Sequence, residues 1–234
     1  MKNKPPITLG IAQNSRGAQN FSGEASDNTP ALTPEIRQKI FTRDDHTCQL
    51  CGFHSKKYQE IHFIDNDPSN VKLDNMLTSC IFCHQCFDLE KVAEMRSGVL
   101  IWLPEIEQKH LHHIARAIYV ARISQGSMAD TAKKSLEILM GRREEAKTRL
   151  QTDDPYVLSM VMRDFLGPRQ YAMREKKLDG IRLFPLDRRI IKEGDLEFNQ
   201  FPQILAYWRS KDGPFGGKVP NKWKNFYAEI TQAA

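Results

Sequence analysis

The chain has 234 residues, 40% hydrophobic and 27% charged, with no run of 18 apolar residues, so a membrane-spanning helix is excluded and one medium or two small soluble domains are expected. The basic residues 1–7 are followed by neither an apolar stretch nor a cleavage site, which argues against a secretory signal and for a cytoplasmic protein. The net charge of +5 lies entirely beyond residue 160, where 14 Lys and Arg face 9 Asp and Glu; so dilute a surplus names no polyanionic partner.

In chain order, residues 1–32 read as a flexible N-terminal segment. Residues 10–30 are rich in Gly, Ser, Asn and Asp and bury too little to offset ordering, while Ile7, Thr8 and Leu9 could add a short strand. Thr33 followed by Pro34 and Glu35 starts a short helix that ends near Thr42. A cysteine-bearing module follows, with a knuckle at Cys48–Cys51, a β-branched strand at Ile61–Ile64 and a second cysteine pair that opens a helix at Cys83; this unit, with its lead-in and exit, spans 33–104. Residues 105–186 read as a helical region: helical spacing of apolar residues gives helices at about 105–124, 130–150, 155–166 and 169–178. Residues 187–234 form an extension, where aromatics suggest two more helices around the Gly/Pro-rich residues 211–220.

All five cysteines fall between Cys48 and Cys86. An odd number, crowded in a chain without a secretory signal, argues against a disulfide framework and for metal. Cys48-x2-Cys51 and Cys80-x2-Cys83 supply four soft ligands in two close pairs, as a tetrahedral zinc site requires, and Gly52 stands where such a knuckle needs a positive φ. Four thiolates leave no open position for water, so one structural Zn²⁺ per chain is expected. Cys86 extends the second pair to C-x2-C-x2-C, and Cys48, Cys51, Cys83 and Cys86 form a rival ligand set; an iron–sulfur cluster is a minor rival.

Between the pairs, Asn75 stands five residues before Cys80 and His84 directly follows Cys83. This layout resembles the zinc-bearing HNH endonuclease module. The resemblance puts His62 at the catalytic-metal ligand position and Phe63 at the general base, and phenylalanine cannot take a proton from water. His62, Asn75 and His84 are therefore read as vestigial HNH positions with no catalytic residue: His62 as a strand residue facing solvent, His84 as a helix-terminal residue and Asn75 as a turn residue. The expected fold is α+β, a small HNH-like treble-clef ββα zinc module packed against a larger set of α-helices.

Further segments carry a more specific likeness: Lys39-Ile40-Phe41-Thr42-Arg43-Asp44, Cys48 through Phe53, Leu73-Asp74-Asn75, Cys80 through Phe87, Leu100-Ile101-Trp102-Leu103-Pro104-Glu105 and Ile181-Arg182-Leu183-Phe184-Pro185. Over about residues 36–186 they resemble the IcmJ/DotN family of type IVB secretion systems and of the related I-type plasmid conjugation systems. The resemblance implies a non-enzymatic adaptor that binds the cytoplasmic C-terminal extension of the coupling ATPase, joins other coupling-complex subunits, and reaches the inner membrane only through them. It also implies that Cys48, Cys51, Cys80 and Cys83 hold the zinc. A divalent-metal-dependent HNH endonuclease, or a zinc module that binds DNA without cutting it, is the alternative.

Other motifs are weaker. Glu107-x-x-His110, with His112 and His113 nearby, lacks a second such helix for a di-iron site and reads as a polar helix face. Residues 213–218 lack Walker spacing. Lys222, Trp223 and Lys224 interleave charge with an aromatic, but short helices of this kind are usually just amphipathic. Candidate partner surfaces are the aromatics of the extension and the helix at 105–124.

Overall fold

The computed structural model describes residues 4–12 and 32–232; most of the expected flexible N-terminal segment lies outside the described residues. Helix α1 (Pro34–Arg43) starts where Thr33 Oγ1 accepts from the Ile36 amide at 3.4 Å. Strands β1 (Gln59–Phe63) and β2 (Met76–Cys80) form an antiparallel hairpin with Ile61 opposite Thr78. Asp44, at the end of α1, accepts the Thr78 amide at 2.7 Å, and Arg43 donates to the carbonyls of Leu73 and Met76, so helix and hairpin close on Ile40, Ile61 and Met76.

The chain continues through α2 (Ile81–His84), a 3₁₀ turn at Gln85–Phe87, α3 (Leu89–Glu94) and β3 (Gly98–Trp102). Next come α4 (Gln108–Arg122), α5 (Ser127–Gly141), α6 (Arg143–Leu150), α7 (Pro155–Asp164), α8 (Pro168–Ala172) and α9 (Arg174–Lys177). Strand β4 (Ile181–Pro185), the hairpin of β5 (Ile190–Glu193) and β6 (Leu196–Asn199), then α10 (Phe201–Arg209) and α11 (Trp223–Gln232) complete an α+β fold.

A two-stranded ribbon divides the core. Strand β3 pairs antiparallel with β4, Leu100 opposite Leu183. Because successive side chains alternate faces, Leu100 and Leu183 enter one apolar cluster with Leu89, Val92 and Met162, while Ile101 and Phe184 enter another with Phe82, Tyr119 and Trp208. Burial on both faces explains why Gly98–Trp102 and Ile181–Pro185 are near-continuous apolar runs. The free edge of β3 is also used: the amides of Leu100 and Trp102 donate to the carbonyls of Asp153 and Arg142.

Several helix expectations are corrected. The helix expected over 130–150 is two helices broken at Arg142, whose ψ of −4° ends α5 and whose carbonyl receives the Trp102 amide. The helix over 169–178 is likewise split, between α8 and α9, at Met173 with ψ near 1°. Residues 7–9 form no strand; the next residue anchors the segment, the Gly10 amide donating to the Cys86 carbonyl and the Gly10 carbonyl accepting from the Leu89 amide, with Leu9 and Ile11 buried. The β5–β6 hairpin occupies the start of the extension, for which the sequence suggested only helices. Arg189, at its base, donates to Glu60 on β1 at 3.0 Å and fixes the hairpin to the cysteine-bearing module.

Candidate metal centre

Local backbone chemistry builds the site from two turns. In the knuckle, the Cys48 amide donates to the Phe53 carbonyl and the Gly52 amide to the Cys48 carbonyl; Gly52 takes φ +78°, which a side chain would resist. The Gln49 amide donates to the Thr78 carbonyl at 2.8 Å and ties the knuckle to β2. Cys80 ends β2 and caps α2, its sulfur accepting from the Cys83 amide at 3.4 Å. The helix thus begins at Ile81, two residues before the start expected from sequence, and Cys83 lies in its first turn.

The sulfurs of Cys48, Cys51, Cys80 and Cys83 all lie within 4.8 Å of one another, and these four could hold a metal ion. Cys48, Cys80 and Cys83 are buried and Cys51 is half-buried. A tetrahedral ion with metal–sulfur bonds of about 2.3 Å sets its sulfurs about 3.8 Å apart; the Cys51 and Cys80 sulfurs are 3.7 Å apart. None of the five cysteines is joined in a disulfide. The donor set suits a single ion with a taste for thiolate, zinc being the common one. Hydrogen bonding from Cys48, Cys80 and Cys83 pulls the Cys51 thiol far below its ordinary range, while burial pushes Cys80 up.

Cys86 stands apart from the four. Its sulfur lies 3.5 Å from the Phe82 carbonyl and 3.8 Å from His112 Nε2, and burial pushes its thiol well up.

The three HNH-like positions divide. His62 is buried, against the solvent-facing position expected: its ring stacks on Phe87 at 4.0 Å and meets His84 edge-on at 6.1 Å. Burial, then the nearby His84, lowers its pKa to about 3. His84 is half-buried and is also lowered, mainly by desolvation. Asn75 is occupied elsewhere. Its Oδ1 accepts from the Asp65 amide, and its Nδ2 donates to Asp65 Oδ1 and the Asn70 carbonyl, closing the β1–β2 loop. Phe63 packs beside the cluster of Ile40, Ile61 and Met76.

The polar reading of α4 fails on one face. Glu107, His110 and His113 are exposed as expected, but Gln108, His112 and Arg116 are buried, at 7%, 0% and 1% exposure. Their spacing of four residues puts them on one stripe, beside the buried Leu111 and Ala115. That spacing was the available signal. Arg116 donates to Cys80 Sγ at 2.6 Å, His112 Nδ1 lies 3.2 Å from Cys83 Sγ, and His113 Nε2 is 2.8 Å from the Cys51 carbonyl. Much of α4, expected as a partner surface, is core, including Tyr119; of the extension's aromatics Phe201 and Trp208 are buried while Tyr227 is exposed, and further exposed apolar side chains stand at Val157, Val161 and Phe165.

Fold and site together define an α+β protein organised around a closed four-cysteine centre, and among the described residues no helix is long and apolar enough to cross a membrane. No protein-family model matches the chain. It is 36% identical over 152 residues, covering 63% of its own length and 71% of its relative's, to the type 4 apparatus protein DotN of Legionella pneumophila. The chain belongs to the DotN family.

Proposed function

We propose that the chain is a zinc-stabilised, non-enzymatic adaptor of a type IVB secretion or conjugation coupling complex, and that it binds the cytoplasmic C-terminal segment of the coupling ATPase. The observation that carries this reading is the kinship with a type 4 apparatus protein over 71% of that protein's length. Cys48, Cys51, Cys80 and Cys83 would hold one Zn²⁺, which cross-links knuckle, hairpin and helix. Sites of this kind contribute about 10–16 kcal/mol of apparent binding free energy, as much as the whole stability of an ordinary domain.

On this reading the knuckle, the β1–β2 hairpin and α2 are an HNH-like module that has lost its chemistry. A nuclease needs a base to activate water, and Phe63 offers none. The burial of His62 against Phe87 favours a packing role for that imidazole. Attachment to the inner membrane would run through the ATPase, and nucleic acid is not a favoured partner.

Co-expression with the coupling ATPase tests the reading. The two should co-purify, and deleting the ATPase's C-terminal extension should abolish the complex; separate elution of intact proteins contradicts the adaptor role. Supercoiled plasmid incubated with the chain and Mg²⁺ or Mn²⁺ should stay intact. Nicking that disappears in His62→Ala would put the nuclease reading in its place.

A further inference from the structure

Gln108, His112 and Arg116 form a polar stripe inside an otherwise apolar helix face, and buried polar groups are costly unless they are partnered. Arg116 is the most demanding of the three. Among the described residues it has no carboxylate partner; Nη2 reaches only Cys80 Sγ, and Nε and Nη1 have no hydrogen-bond acceptor. Aromatic rings enclose the guanidinium, Phe53 at 3.9 Å and Phe82 at 4.9 Å from centroid to Cζ. Rings attract a cation but do not neutralise it. The counter-charge within reach is the sulfur cluster, and four thiolates around one divalent ion make a net dianion.

His112 is fixed by a chain of bonds that starts in the β4 backbone. Gln108 Oε1 accepts from the Leu183 amide at 2.9 Å, and Gln108 Nε2 donates to the Leu183 carbonyl at 2.7 Å. Those two bonds settle which end of the amide is which. Gln108 Nε2 also lies 2.8 Å from His112 Nε2, so His112 Nε2 must accept. In the neutral imidazole the proton then sits on Nδ1, and Nδ1 points at Cys83 Sγ from 3.2 Å.

From this geometry we propose that α4 is a built-in clamp on the metal centre, in which Arg116 and His112 hydrogen-bond the Cys80 and Cys83 sulfurs and Gln108 sets the His112 tautomer. The proposal rests on the metal reading above and adds the residues that tune it. The loaded centre places a fixed negative charge against the otherwise unpaired Arg116 and accepts its hydrogen bond, so the clamp favours the loaded state and slows loss of the ion. It also joins the metal centre to β4 through Gln108 and Leu183. Arg116 and His112 are positioning residues and not ligands; removing such partners of a metal ligand commonly costs 10–100-fold in metal affinity.

The test is competition for zinc between the full chain and a chromogenic chelator. Arg116→Leu and His112→Phe should each weaken zinc binding 10–100-fold and shift the sulfur-to-cobalt charge-transfer band of the Co²⁺ form, and Arg116→Lys should recover part of the affinity. Asp154→Ala removes the cap of α7 and serves as the control: it should lower the thermal midpoint and leave zinc affinity unchanged. Nitrogen NMR of the zinc form should show His112 protonated at Nδ1, and Gln108→Leu should mix the tautomers. Zinc affinity within threefold of wild type in both Arg116→Leu and His112→Phe, or protonation of His112 at Nε2, overturns the clamp. A wild-type chain that binds no zinc would instead overturn the metal reading itself.

Discussion

Phe82, between the cysteines of the second pair, meets Trp208 of α10 edge-to-face, with ring centroids 5.6 Å apart at 89°. Phe201 completes the contact, 5.9 Å from Trp208 and 6.4 Å from Phe82. The C-terminal extension therefore packs directly on the helix that carries Cys83. Trp208→Ala should cost about 3–5 kcal/mol, as for a buried large aromatic, and should loosen the metal centre with the fold. Urea denaturation read at equilibrium measures the loss; a change below 1 kcal/mol would mean that α10 is dispensable.

Each of Cys48→Ser, Cys51→Ser, Cys80→Ser and Cys83→Ser should abolish stoichiometric metal, because a hydroxyl cannot replace a thiolate in a soft tetrahedral site. Cys86→Ser should retain the metal, its sulfur lying against the Phe82 carbonyl and His112 rather than among the four. Metal analysis of the five purified variants checks both halves, and metal loss in Cys86→Ser would revive the rival ligand set.

What sequence made legible was what local spacing encodes. Two C-x2-C pairs announce a metal centre without any knowledge of the fold, and Thr33-Pro34 and Asp154-Pro155 announce helix starts, both now seen as side-chain caps. The pairing of β3 with β4 was not legible, since 78 residues separate the end of one from the start of the other and a strand buried on both faces shows no alternation. The break at Arg142 depends on a backbone bond from Trp102, again a tertiary effect. The β5–β6 hairpin could have been found: Gly194 and Asp195 separate the paired Glu193 and Leu196, and Gly194 takes φ +60°, a two-residue turn with glycine first. His112 was misread, and Arg116 passed over, because composition weighs a helix's charge but only its phase says which side chains turn inward.

Burial dominates the depressed pKa of His62; His84 adds to the depression and Asp65 opposes it. An unfolded His titrates near 6.5, so between about 3 and 6.5 the unfolded chain holds a proton that the folded chain lacks. Stability should thus be full above about pH 6.5 and fall as pH drops through that window, by up to about 1.4 kcal/mol per unit from this residue. His62→Phe keeps the stack on Phe87 and removes the titration, so the gap between mutant and wild-type stability should shift in the mutant's favour from pH 7 to pH 5. Parallel pH profiles would contradict the burial of a neutral imidazole.

Gly180 adopts φ +80°, and a Cβ there would stand 2.4 Å from the Trp102 ring, whose other neighbours include the Arg149 guanidinium at 3.7 Å. Gly180→Ala should destabilise by at least about 1–2 kcal/mol from the left-handed backbone alone, with displacement of Trp102 adding to it. Thermal denaturation and tryptophan fluorescence should move together; an unchanged midpoint would show that the turn into β4 tolerates a side chain.

The metal centre underlies every part of this account, and metal analysis of the freshly purified full chain tests it most directly. One zinc per chain, with a Co²⁺-substituted form showing tetrahedral tetrathiolate absorption, is the expected result. A metal-free chain that is folded and resists chelators, or one whose cysteines are joined as disulfides, would contradict it.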